Sequence, residues 1–392
     1  MTLPSPAERL SVLPAYPFAA INQRVRQLNA QGHDVISLDV GSPDMPPPEL
    51  VVEALNQSIH NSRKHGYSGY KGTAAFREAV AEYYQRRFGV IVNPETQVLP
   101  LLGSKEGIVN LSLAYLDHGD SALVPDIGYP SYSMGALLAG ASVRWFPLRE
   151  PGYLANFEEL AAYVDGRTKL LWVNYPNNPI GAVAGADFYQ QAVDFCRQHN
   201  LILASDNPYV EVTYDGFVAG SALQPNGALE CGIEFISFSK TYNMAGWRLG
   251  AAVGSVEAIS TLLQVKSNFD SGHFAAVYDA GIAALEEVPQ AWIDQRNAVY
   301  QRRRDRMMSS LPEIGLSAQK PAGALYIWCK VEDEALDGAA YVEQALLNAH
   351  VSMAPGAMYG PGGAQYLRMC VCTTDDRLEQ ALERLQRWYS SR

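Results

Sequence analysis

The sequence predicts an α/β fold: a mostly parallel sheet covered by helices on both faces, followed by a smaller α+β unit. Three observations carry that expectation. Short apolar runs alternate with amphipathic helical segments through the first two thirds of the chain. The runs are nearly uninterrupted, as strands buried on both faces require. Beyond about Leu285 the alternation gives way to a long helix followed by mixed strands and helices.

Taken in order, "DVISLDVGSPDMPPPEL" reads as a short strand that stops at a glycine turn and enters a Pro-rich connector. "QVLPLL" then runs into the helical "GSKEGIVNLSLAYL", "SALVP" into "SYSMGALLAGA", and "TKLLWVN" into "ADFYQQAVDFCRQHN". "LILAS" and "FISFS" supply two further strands, and "FISFSK" is expected to end its strand on Lys240. A long helix is expected from Pro289 to Leu311. "ALYIWCKV" and "YLRMCVC" read as strands, and "GAAYVEQALLNAH" and "DRLEQALERLQRWYSS" as amphipathic helices. The expected division is a large domain over residues 46–285 and a small one built from residues 1–45 and 286–392. The opening segment is too short to fold alone.

With 392 residues, 48% hydrophobic and 18% charged, the chain can bury a sizeable core and contains no apolar run of membrane-spanning length. Its formal net charge of −11 and dispersed basic residues disfavour nucleic acid as a partner. The one basic cluster, "QRRRDR" at Gln301 to Arg306, is expected to be a solvated helix face. The opening residues lack the charged and apolar regions of a secretory signal, and five cysteines without paired spacing fit a reducing cytoplasm. Cys370 and Cys372 have neither zinc-ligand nor redox spacing and read as half-buried strand residues; no metal site is expected.

In a doubly covered sheet, chemistry gathers where strands end. After one strand, Gly103-Ser104-Lys105 opens a helix whose free N–H groups suit an anion, although an ordinary capped helix start reads the same way. Asp206 follows the apolar "LILAS", where an ionised carboxylate is costly unless it caps a turn or meets a cation. Asn178 sits in "YPNNPIG", which turn chemistry also explains, and Tyr209 follows Asp206 by three residues. Lys240 lies between Ser239 and Thr241, while Ser237 and Arg248 can bind a phosphate. An anion cradle, a carboxylate, an amide, a phenol and a nucleophilic amine together match the needs of pyridoxal 5′-phosphate.

With these motifs the chain resembles the class I/II aminotransferases, fold-type I pyridoxal-phosphate enzymes. The resemblance runs from about Val35 to Cys372 through "VGSPD", "YSGYKG", "GSKEG", "GYPSY", "YPNNPIG", "SDNPY", "SFSKTYNMAGWRLG" and "YLRMC". It implies a seven-stranded sheet in the large domain and assigns roles residue by residue. Lys240 is then the Schiff-base lysine and the base that moves the substrate's α-proton. Asp206 keeps the pyridine nitrogen protonated, Asn178 and Tyr209 hydrogen-bond the ring's phenolic oxygen, and Tyr129 stacks on the ring. Ser104, Lys105, Ser237, Ser239 and Arg248 hold the phosphate. Arg368 and the backbone of Gly41 take the substrate's α-carboxylate. Tyr67 reaches the phosphate in a neighbouring subunit, which implies a homodimer with shared sites. The implied reaction is ping-pong transfer of an amino group between an L-amino acid and a 2-oxo acid.

Within the family, "DVGSPD", "GSKEGI" and "KSNFDSG" are most similar to the LL-diaminopimelate, aspartate, alanine and glutamate aminotransferases. Tyr70 stands where the diaminopimelate enzymes' pattern has a glutamate. Lys105 is a candidate partner for an acidic substrate side chain. Tyr16 and Phe18 either close over the substrate or serve structure. The alternative reaction on the same scaffold is β-elimination from cysteine-type substrates.

Overall fold

The computed structural model describes residues 4–11, 13 and 17–392, the side chains of residues 17–20 excepted. A two-residue strand, β1 (Ile36–Ser37), precedes the strands of a large sheet. These are β2 (Val98–Leu101), β3 (Ser121–Pro125), β4 (Ser142–Phe146), β5 (Thr168–Val173), β6 (Ile202–Asp206), β7 (Gly232–Ser237) and β8 (Gly250–Gly254). Their spatial order is β2-β8-β7-β6-β5-β3-β4. β8 is antiparallel to both neighbours and the remaining pairs are parallel.

Parallel strands need crossovers, and helices supply them. Ser104–Tyr115 follows β2, Ser131–Leu138 follows β3, and Ala186–His199 joins β5 to β6. The strands read as unbroken apolar runs because both faces are covered. Leu101, Trp172 and Phe235 pack in one core with Leu111 and Leu262, while Leu171 and Leu203 pack in another with Phe188 and Val193.

Only β8 runs against the others, and this decides the site's geometry. Its first residue, Gly250, pairs with Leu101 and with Ser237, so its start lies at the edge where β2 and β7 end. Arg248, two residues before β8, is thereby delivered to the same edge.

The remaining strands are β9 (Leu316–Ser317), β10 (Tyr326–Val331), β11 (Val351–Ser352), β12 (Ala354–Pro355) and β13 (Tyr366–Cys370). Four of them form an antiparallel sheet ordered β12-β13-β10-β9, and β1 pairs in parallel with β11. Ile36 and Leu38 share a core with Tyr300, Ile327, Leu367 and Leu382. The helix Asp375–Ser390 closes that core with Leu378, Ala381, Leu382 and Leu385, whose spacing places them along one stripe.

Three expectations need correction. The strand "FISFS" stops at Ser237, and Lys240 sits in a one-turn helix, Phe238–Thr241. Ser237 caps that turn by accepting from the Ser239 N–H at 3.3 Å, which competes with further strand pairing. The arginine cluster is a solvated face only in part: Arg302 is exposed, but Arg303 and Arg304 are buried. Arg304 is fully buried and donates to Asp215 at 2.7 Å and to the Pro321 carbonyl at 2.9 Å, while Arg303 meets Asp44 at 2.9 Å and Asp375 at 2.6 Å. These partners offset the cost of desolvating the two guanidiniums. Cys370, finally, ends β13 completely buried, and Cys372 lies beyond the strand.

Candidate active site

A cavity of about 430 Å³ opens at the strand ends of the large sheet, and it is lined by residues from both sheets. Its floor holds Asp206, the last residue of β6. Tyr132 donates to Asp206 Oδ2 at 2.7 Å, but among the described residues Oδ1 has no hydrogen-bond partner although it is buried. Burial pushes the Asp206 carboxyl up to about 7, against the hydrogen bond from Tyr132. Such a buried acceptor, on a residue that lines the cavity, is suited to a cationic N–H donor.

Lys240 faces the same space. Its Nζ donates to the Gly41 carbonyl at 2.5 Å, and burial lowers its amine to about 8. That leaves a usable neutral fraction near physiological pH.

At one end of the cavity the helix Ser104–Tyr115 begins. Gly103 precedes it with φ +80°, and a Cβ there would overlap the guanidinium of Arg248. Glycine is needed for both reasons. Arg248 itself adopts φ +61°, an uncommon conformation for a side-chain-bearing residue, and its carbonyl is fixed by His273 Nε2 at 2.8 Å. Burial lowers the His273 pKa, so a neutral imidazole donates there. Ser104, Lys105, Ser237, Ser239 and Arg248 all line this end, and burial followed by the Arg248 charge lowers the Lys105 amine. Backbone N–H groups, hydroxyls and cations converge as a phosphate requires.

The opposite wall comes from the smaller sheet. Arg368, in the middle of β13 and fully buried, donates to Asn178 Oδ1 at 2.9 Å and to the Asp39 carbonyl at 2.5 Å. Its guanidinium lies 4.0 Å from the ring centre of Tyr326 and 5.0 Å from that of Tyr359. Tyr209 and Tyr326 share a hydroxyl–hydroxyl hydrogen bond of 2.8 Å. Tyr129 lines the cavity beside Tyr132, the two rings meeting edge to face at 5.9 Å.

Residues 33–385 match the family model for aminotransferase class I and II. The chain belongs to this aminotransferase family. Over 382 residues it is 44% identical to the LL-diaminopimelate aminotransferase of Moorella thermoacetica, covering 97% of each chain. The Aquifex aeolicus protein of that name is 41% identical over 381 residues, 97% of this chain and 98% of its own. Substrate-bound BacF from Bacillus subtilis superposes with a TM-score of 0.92 at 34% identity, covering 98% of both chains. Aspartate aminotransferase from Thermus thermophilus with maleate gives 0.92 at 30% identity, over 98% of this chain and all of the other.

The aminotransferase gathers twelve of the sequence-flagged residues around one cavity: Gly41, Ser104, Lys105, Tyr129, Asn178, Asp206, Tyr209, Ser237, Ser239, Lys240, Arg248 and Arg368. Two others are not brought there. Tyr67 is 93% exposed and Tyr70 is 52% exposed, and neither lines the cavity of its own chain. Tyr16 lies outside the described residues, as does the side chain of Phe18. Sequence reasoning missed Tyr132, Tyr326, Asn22 and His273. Tyr132 is the final residue of "GYPSY", three positions after Tyr129, yet carries no signal of its own there, whereas Tyr326 reads only as an apolar strand residue in "ALYIWCKV".

Proposed function

We propose that this aminotransferase binds pyridoxal 5′-phosphate in the cavity and moves an amino group between an L-amino acid bearing a second carboxylate and a 2-oxo acid. The observation that carries the cofactor reading is that Asp206, whose buried Oδ1 has no hydrogen-bond partner among the described residues, lines one cavity with the Lys240 amine and the cations Lys105 and Arg248. Bound there, the cofactor supplies an electrophilic carbon for amines and an electron-withdrawing ring that acidifies the substrate's Cα–H.

The chain's own residues divide the remaining work. Asp206 accepts the ring N–H, and that cation draws its pKa back down. The N–H groups at Ser104 and Lys105, with Ser237, Ser239 and Arg248, bind the phosphate. Asn178 and Tyr209 face the ring's phenolic oxygen, and Tyr129 covers a ring face. Lys240, with an amine near 8, takes the α-proton and returns it at the carbon that accepts the amino group. Arg368 binds the α-carboxylate in its fixed fork, joined by the backbone of Gly41.

For the side chain we favour a second carboxylate, because Lys105 adds a cation to a cavity that already holds Arg368. LL-Diaminopimelate, named for the relatives, belongs to this class, as do aspartate and glutamate. Tyr67 would serve a neighbouring copy's phosphate in a homodimer; it is 93% exposed, as an aromatic residue reserved for a second copy would be, which supports that reading. Five free cysteines support a cytoplasmic location, and no helix among the described residues is long and apolar enough to cross a membrane. The elimination alternative gains nothing from relatives named as transaminases.

The test is the absorbance spectrum of protein loaded with pyridoxal phosphate, read after adding LL-diaminopimelate, L-glutamate, L-aspartate or L-alanine without an oxo acid. Conversion to the pyridoxamine form by the dicarboxylic donors is expected. Equal conversion by alanine would remove the second-carboxylate claim, and absence of a cofactor band would remove the cofactor.

A further inference from the structure

Three contacts converge on Tyr326, the first residue of β10. Its hydroxyl bonds the Tyr209 hydroxyl at 2.8 Å, its ring face lies 4.0 Å from the Arg368 guanidinium, and it lines the cavity. Its hydroxyl and ring edge also occupy the space a side chain at residue 41 would need, so the Gly41 backbone packs directly on it. That same Gly41 offers its carbonyl to Lys240. Tyr326 therefore touches the carboxylate anchor, the cavity phenol and the segment that receives the lysine.

We propose that Tyr326 is a positioning residue for the transfer reaction, its hydroxyl polarising Tyr209 and its ring holding Arg368 in place for the amino acid's carboxylate. The hydroxyl role rests on the cofactor reading above. A phenol has one proton to give. When Tyr209 turns its proton toward an anionic oxygen of the cofactor ring, the 2.8 Å bond requires Tyr326 to donate to Tyr209. A donor that is itself hydrogen-bonded at oxygen becomes a stronger donor. The ring role is separate: a guanidinium over a phenol face is held by the ring's quadrupole and by packing. Asn178 Oδ1 and the Asp39 carbonyl each take one guanidinium nitrogen of Arg368, and the Tyr326 ring centre lies nearer the guanidinium, at 4.0 Å, than that of Tyr359, at 5.0 Å.

The two roles separate in two variants. Tyr326→Phe keeps the ring and removes the hydroxyl. In the cofactor-loaded protein, the pH midpoint of the visible absorption change should rise by about half a unit, because the deprotonated state loses part of its hydrogen-bond support. KM for the fastest of the four donors should move by less than about twofold. Tyr326→Leu removes ring and hydroxyl, and should raise that KM about tenfold with a smaller change in kcat. An unchanged absorbance midpoint in Tyr326→Phe overturns the hydroxyl role, and an unchanged KM in Tyr326→Leu overturns the ring role. Wild-type protein is the control that separates the two readings. If it binds and titrates while the variants match it, only Tyr326 loses its assignment; if it shows no cofactor band, the cofactor reading fails and takes the hydroxyl role with it.

Discussion

The Nζ of Lys240 donates to the backbone carbonyl of Gly41 at 2.5 Å, across 199 positions of sequence. One residue sits in the one-turn helix that follows β7, and the other follows the short strand that pairs with β11. The bond holds the amine over the cavity floor while burial lowers its pKa to about 8. Only the neutral amine is nucleophilic. The rate at which cofactor-free protein takes up pyridoxal phosphate should rise with pH and level off above about 8, read by stopped-flow absorbance. Lys240→Ala should lower transfer by at least about 10³-fold with an unchanged circular dichroism spectrum. Ordinary turnover in that variant would contradict the role given to the lysine.

Asp206 should make the cofactor-free protein less stable as pH rises. Its folded pKa, about 7, lies above the ordinary 3.8, so between roughly pH 4 and 7 the folded state binds more protons than the unfolded one. Its contribution is fully present below the lower value and is lost through the upper, by up to about 4 kcal/mol. Asp206→Asn, which never ionises, should gain stability relative to wild type between pH 5 and pH 8 in urea titrations. A constant difference across that range would mean the carboxyl is not strained by burial.

Arg368→Ala should act on amino-acid binding. Loss of a buried charge that pairs with a carboxylate costs about 3 kcal/mol, or roughly a hundredfold in KM. Arg368→Lys should recover little, because an ammonium cannot reproduce the guanidinium's paired donors. Steady-state kinetics with each donor decide this, and an unaltered KM would place the carboxylate elsewhere.

Gly41→Ala should harm both stability and binding. The added Cβ meets the Tyr326 hydroxyl and ring, so one of the two must move, at about 1–3 kcal/mol. Thermal unfolding measures the first effect and donor KM the second. Combining it with Tyr326→Leu, which vacates the space, should recover part of the lost stability.

Much of this protein was legible in its residues because the signals are local. Uninterrupted apolar runs between amphipathic helices specify a covered parallel sheet, and motifs at strand ends specify Gly103 to Lys105, Asn178, Asp206 and the Ser237 to Arg248 segment. Local signals misjudged the arginine cluster, since burial of Arg303 and Arg304 depends on Asp44, Asp215 and Asp375, which come from distant segments.

Tertiary structure alone decided three things. The antiparallel course of β8 carries Arg248 to the edge where the parallel strands end. Pairing of β10 with β13 sets Tyr326 beneath Arg368 and against Tyr209. The helix after β3 places Tyr132 on one oxygen of Asp206 and leaves the other without a hydrogen-bond partner among the described residues. Residue type and strand-end position fix what a side chain can do, and they are written in sequence. Which partners it meets depends on strand order and register, and contacts across hundreds of positions leave no periodic trace in the chain.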